Sequence, residues 1–196
     1  LGVTFTPHYA QALGLDPQKT YSFLLQDLGV KRVRLSAYWN EIEKDQDQFD
    51  FTGLDYYVQE ANKHRTEVIL AIGLKLPRWP ECRTPQWLDT KNTQLLQERQ
   101  LIMLKKVVEY FENNATISSF QVENEPLLSS FGICPEVSRE FLKKEVELVK
   151  SLTKKPVILT DSGELGWWIT PMRLSDIFGT TLYRRVLDKW IGYLDY

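Results

Sequence analysis

The 196-residue chain is 43% apolar and 12% aromatic, enough material for one hydrophobic core, which argues against a disordered or fibrous protein. Its 24 Lys and Arg stand against 26 Asp and Glu with no block of like charge, so neither nucleic acid nor an anionic membrane is indicated and a neutral, polar ligand fits. No apolar run approaches the roughly 18 residues of a membrane span, and Leu1 leads almost at once into a strand-like segment rather than a charged-then-apolar leader.

Short apolar runs then alternate with amphipathic helices, the pattern of repeated βα units and a parallel sheet. Val3–Thr6 reads as a first strand, and Asp16-Pro17 as an N-cap and first helical residue opening a helix with Tyr21, Leu24, Leu25 and Leu28 on one face, ended by Gly29. Arg32–Ser36 reads as a second strand, followed by a helix with Leu54, Tyr57, Val58 and Ala61 in one stripe. Glu67–Gly73 has the Val-Ile-Leu-Ala-Ile run of a strand buried on both faces, and a long loop rich in Pro and Trp extends from it to Leu88. A helix bearing Leu101, Leu104, Val108 and Phe111 leads to a fourth strand, Ile117–Val122. A fourth helix is expected from about Pro135 to Leu152, with Phe141, Leu142, Glu145, Val149 and Leu152 sharing a side. Pro156–Thr160 and Ile177–Leu182 read as strands five and six, and Arg184–Tyr196 as the start of a sixth helix.

Two parallel architectures fit this order, and phosphate chemistry separates them. A doubly wound nucleotide binder needs closely spaced glycines after its first strand, where this chain has Thr6-Pro-His-Tyr9. The expected fold is therefore α/β, a TIM (β/α)8 barrel, with residues 1–196 forming one domain. Such barrels usually take about 250 residues. Six units leave strands seven and eight unaccounted for, so the domain is expected to be incomplete.

The active face of a barrel lies at the C-terminal ends of its strands. On strand four the expected alternation turns Phe120 and Val122 to the helices and Gln121 and Glu123 to the barrel interior, leaving Asn124-Glu125-Pro126 at the rim. A carboxyl held protonated there can give its proton to a glycosidic oxygen, and an adjacent Asn can bond a sugar hydroxyl. Trp79, Trp87, Trp167 and Trp168 fall in loops on the same face, where flat rings stack on sugars; His8 and Tyr9 on the first loop can bond hydroxyls. Cys82 and Cys134 lie on loops that a barrel makes neighbours, as two thiols or one bridge, and neither has the companions of a metal site. No metal or cofactor is implied, and the two histidines lack the setting of a Ser-His-Asp mechanism.

The segment Phe120-Gln-Val-Glu-Asn-Glu-Pro126 resembles the acid/base strand of clan A retaining glycoside hydrolases, the large clan that includes cellulases and β-galactosidases. The resemblance implies Glu125 as the catalytic proton donor and Asn124 as a substrate ligand. Arg34, in Val33-Arg-Leu-Ser-Ala-Tyr-Trp-Asn-Glu-Ile-Glu43, matches the clan's strand-two Arg, Trp39 the aromatic that often follows it, and Tyr183 the strand-six Tyr. The clan's nucleophile ends strand seven, so no residue here inherits that role; Glu164, after strand five, is not assigned it. The implied activity is retaining hydrolysis of β-linked oligo- or polysaccharides, the isolated chain being inactive. A polysaccharide substrate and a Cys82–Cys134 bridge would suit a secreted or cell-surface location.

Each of these residues also has a structural reading. Arg34 can pair with Glu123 inside the barrel, each Trp can pack beneath a loop, and His8 and Tyr183 can be satisfied structural groups. A carbohydrate-binding barrel that has lost its nucleophile is the alternative function, and a Glu ending a seventh strand would discriminate the two.

Overall fold

The computed structural model describes residues 1–78, 81–128, 133–163, 166–182, 185–188 and 192–195. Their elements run β1 (Gly2–Thr4), α1 (Pro7–Ala12), α2 (Pro17–Gln26), β2 (Arg32–Ser36), α3 (Trp39–Ile42), α4 (Thr52–Lys63), β3 (Glu67–Ile72) and α5 (Thr93–Phe111). There follow β4 (Ile117–Val122), α6 (Arg139–Leu152), β5 (Val157–Asp161), α7 (Ile169–Leu174), β6 (Ile177–Thr180), β7 (Arg185–Asp188) and β8 (Gly192–Asp195). β1 to β6 form one sheet in sequence order, each strand parallel to its neighbours. This is the order of a TIM barrel, six strands of its wall with β1 and β6 as the two edges.

Helix starts follow side-chain chemistry. Asp16, Asn92 and Ser138 each sit in an extended conformation and accept a hydrogen bond from the N–H three residues on, which satisfies one of the donors a helix leaves open. α2 ends with Gly29 in the left-handed region at φ 60°. Between strands and helices lies the core, where Val33, Leu35, Val68, Leu70, Phe120, Val122, Val157 and Leu159 meet Leu25, Val58, Met103, Leu104, Val108 and Val149. A bulge in β4 lets Ile117 and Phe120, three residues apart, both enter that core, because the register with β3 slips between Val68 and Ile69. Truncating Phe120 to Ala would cost about 3–5 kcal/mol at such a position.

The stretch expected as a sixth helix is instead a hairpin. β7 and β8 pair antiparallel, Arg185 opposite Asp195 and Asp188 opposite Gly192, as a sheet separate from the six-stranded one. Gly192 holds φ 84°, which no helix interior accepts, and Val186 and Tyr193 are residue types that favour strands.

Candidate active site

β4 hands the chain to an unusual turn. Glu123 and Glu125 both adopt left-handed backbone, φ 58° and 49°, which costs a residue with a Cβ on the order of 1–2 kcal/mol. The first of these breaks the strand alternation. Glu123, expected in the barrel interior, points towards the helices: its Oε1 accepts from Leu74 N at 2.6 Å and Gln100 Nε2 at 2.7 Å, and its Oε2 from Lys75 N at 2.6 Å. Arg34 is not among its partners, so the alternative reading of Arg34 as an ion-pair partner of Glu123 does not hold.

Gln121 does face inward, and its amide organises the interior. Its Oε1 accepts from Arg34 Nη1 at 2.9 Å, while its Nε2 donates to Glu123 O at 2.8 Å and Asn124 Oδ1 at 3.3 Å. Arg34 also donates from Nε to Thr4 Oγ1 at 3.0 Å. Glu125 N donates to Thr160 Oγ1 at 3.1 Å. One polar network therefore links β1, β2, β4 and β5 beneath the Asn124–Glu125 turn. Lys75, 3% exposed, grips the turn from the β3 side: its carbonyl accepts from Asn124 N at 2.7 Å, and its Nζ donates to Glu125 O at 3.2 Å and Leu128 O at 2.8 Å.

These residues face a cleft of about 900 Å³, lined by Arg34, Gln121, Asn124, Glu125, Thr160 and Glu81, among others. Its size suits a sugar-sized ligand, since binding clefts run about 300–1,000 Å³. Glu81, from the loop after β3, and Asp161, ending β5, are both pushed above the usual carboxylate range by burial. Lys75 lies 3.8 Å from Glu81 and partly offsets the shift in each.

The structure brings three sequence-predicted residues together, Arg34, Asn124 and Glu125. It separates others. Trp39 is 1% exposed in the core and donates its indole N–H to Glu43 Oε2 at 2.7 Å, so it packs instead of lining the cleft. His8 lies on α1 rather than in a loop, paired with Glu41 and edge-on to Tyr38 with ring centroids 5.1 Å apart. Trp87 donates to Glu43 O at 3.1 Å beneath its loop. Trp168 is half-exposed at the start of α7, donating to Ser162 O at 2.7 Å, and Trp167 is largely exposed. Trp79, Tyr183 and Glu164 lie outside the described residues. Cys82 and Cys134 form a disulfide that ties the loop after β3 to the loop after β4.

Sequence reasoning missed Lys75, Glu81 and the Glu123–Glu145 contact. Lys75 and Glu81 left one signal, their place in a long post-strand loop. Glu145 left a clearer one, a carboxylate on the apolar stripe of α6.

In fold the six-stranded parallel sheet matches part of the TIM barrel of several glycoside hydrolases of known structure. Residues 18–100 match the model of a β-galactosidase family. Among solved structures, a β-galactosidase from the psychrophilic Marinomonas ef1 superposes with a TM-score of 0.65 at 11% identity, covering 93% of this chain and 40% of that one. An endo-β-1,4-xylanase from Gloeophyllum trabeum gives 0.65 at 14% identity, covering 93% and 61%. An exo-β-1,4-mannosidase from Opitutaceae bacterium strain TAV5 gives 0.63 at 14%, covering 82% and 31%. The chain thus spans less than two thirds of each of these proteins. No curated protein matches the sequence.

Proposed function

We propose that the chain carries the acid/base half of a retaining β-glycosidase, with Glu125 as proton donor. The observation that carries this reading is the placement of Asn124-Glu125 at the C-terminal end of β4, on a cleft shared with Arg34 and Gln121. Three relatives of the same fold are named for cleaving galactosides, xylan and mannosides, which supports a β-linked saccharide as the substrate class. Glu125 protonates the glycosidic oxygen as the bond breaks and then takes a proton from the attacking water. Asn124 offers its side chain to a sugar hydroxyl. The covalent intermediate needs a second carboxylate about 5 Å away, on the opposite face of the sugar. No described residue of this chain is assigned that second role.

The test is Glu125→Gln in the full-length protein. Turnover of the natural saccharide should fall by about 10²–10⁴, the usual worth of a positioned general acid. An aryl glycoside with a good leaving group should be spared in the first step, because its departing oxygen needs little protonation. Unchanged hydrolysis of both substrates would sink the assignment.

A further inference from the structure

Behind the proposed proton donor lies a group of polar side chains that no substrate can reach. Glu123, Gln100 and Glu145 are each 0–1% exposed, on the β4 turn, α5 and α6. A single amide joins them: Gln100 Nε2 donates to Glu123 Oε1 at 2.7 Å and to Glu145 Oε1 at 2.5 Å. Glu123 passes the connection on to the backbone, accepting from Leu74 N and Lys75 N, both at 2.6 Å. Room for its carboxylate depends on Gly73. At φ 124° this residue stands where a Cβ would lie 2.3 Å from Glu123 Oε1. α6 in turn is anchored by Phe141, Leu142, Val146 and Val149, so the far end of the chain is fixed by the core.

The left-handed turn needs such an anchor. Glu123 and Glu125 carry positive φ on either side of Asn124, and strained backbone of this kind persists only where its surroundings over-determine it. We propose that Glu145 and Gln100 are positioning residues for the acid/base turn: the hydrogen-bonded chain from α6 through Gln100 to Glu123 and the Leu74 and Lys75 amides fixes the geometry in which Asn124 and Glu125 meet substrate. This rests on the glycosidase reading of Glu125.

Two carboxylates meeting one amide are both acceptors, and the second oxygen of Glu145 is buried without a donor. The pair is satisfied when Glu145 carries a proton and donates it to Glu123. Burial raises Glu145 well above the carboxylate range, and the negative charge on Glu123 raises it further. Burial also pushes Glu123 up to about 7, against the pull of the two amides and Lys75. Among the described residues, the charged groups facing the pair are the two glutamates themselves and Lys75 from the β3 side; α5 contributes only the uncharged Gln100. The chain thus holds one shared proton, and losing it sets two buried negative charges against each other.

The experiment compares Glu145→Gln, Glu145→Leu and Gln100→Met in the full-length protein. Steady-state kinetics are measured on the saccharide that the wild type hydrolyses, and denaturant midpoints at pH 5.5 and pH 8. Glu145→Leu should lower kcat by the order of 100-fold, the cost of misplacing a catalytic group by about 1 Å, with KM within about two-fold of wild type. Glu145→Gln, whose amide can still donate to Glu123, should recover most of that kcat and narrow the difference between the two midpoints. Gln100→Met cuts the chain from α5 and should reproduce the loss in kcat, and it decides the matter if Glu145→Leu does not fold. The proposal is overturned if the folded variants keep wild-type kcat, or if Glu145→Gln loses as much as Glu145→Leu and leaves the midpoint difference intact. Should Glu125→Gln prove without effect on hydrolysis, the glycosidase reading of Glu125 falls by itself; the midpoints still report whether the buried pair holds its proton.

Discussion

Glu43 is as deeply buried as Glu123, at 0% exposure, yet it is held by a cation. Arg99 of α5 pairs with it and donates to Asp47 Oδ1 at 2.9 Å, while Glu43 also accepts from Trp39 Nε1 and Asp47 N. The guanidinium lies 5.0 Å from the centre of the Trp87 ring. Removing one partner of such a pair leaves a buried charge uncompensated, so Arg99→Met should destabilise the protein by about 3–5 kcal/mol. The double variant Arg99→Met/Glu43→Met should lose much less, a contrast that denaturant titration would show; equal losses would mean that the pair is not a unit. Gly73 makes a separate residue-level case. Its positive φ and the Glu123 carboxylate beside it leave no space for a Cβ, and that carboxylate is fixed by two backbone amides and Gln100. Gly73→Ala should cost more than about 1 kcal/mol, the bound set by the conformational change alone. On the proposed reading, in which Glu123 anchors the turn that carries the proton donor Glu125, steady-state kinetics should also show a lower kcat.

Elements were legible in the sequence wherever one periodicity ruled. β2 and β4 fall where the apolar runs of Arg32–Ser36 and Ile117–Val122 predict, because a strand covered by helices shows its core face directly. The 3.6-residue stripe of α4 likewise predicts its buried Leu54, Val58 and Ala61. Ends and turns were less legible. Period two says that Glu123 faces inward, but a single left-handed φ reverses it, and no residue type announces a positive φ at a glutamate. The Trp that follows Arg34 fits both a sugar platform and a core residue, and only the buried Glu43 acceptor decides for the core. The hairpin of β7 and β8 was misread because its strands are too short to establish a period. Loop pairing, left open by the sequence, is settled by the bridge between Cys82 and Cys134, 52 residues apart. Closing a loop of that length removes entropy from the unfolded chain worth about 4 kcal/mol at 25 °C. Replacing both cysteines by Ser should lower stability by up to that amount, read as a drop in melting temperature that reductant produces in the wild type but not in the variant. A variant as stable as the wild type in oxidising buffer would contradict this account.

At the scale of the whole molecule, the strand order and the cleft follow from the βα alternation, whereas the electrostatics depend on contacts between distant parts of the chain. Glu123 and Glu145 are 22 positions apart in the numbering and meet at Gln100, where the turn after β4, α5 and α6 come together. Their effect on stability has a definite sign. A carboxyl whose folded pKa exceeds its unfolded value binds more protons folded than unfolded between those two values, so its contribution is lost as pH rises through the folded pKa. Burial raises Glu123 to about 7 and lifts Glu145, Glu81 and Asp161 in the same direction. Asp176 works the other way: its bonds to Lys150 and to Val157 N hold its carboxyl low, a contribution lost only as pH falls through the carboxylate range and below. Stability should therefore peak in mildly acid solution and fall between pH 5.5 and pH 8, by about 2 kcal/mol from Glu123, whose loss up to about pH 7 spans roughly 1.5 pH units of that window at about 1.4 kcal/mol each. Guanidinium midpoints at the two pH values and constant ionic strength measure this directly. A midpoint equal or higher at pH 8 would mean that the buried pair sheds its proton without strain.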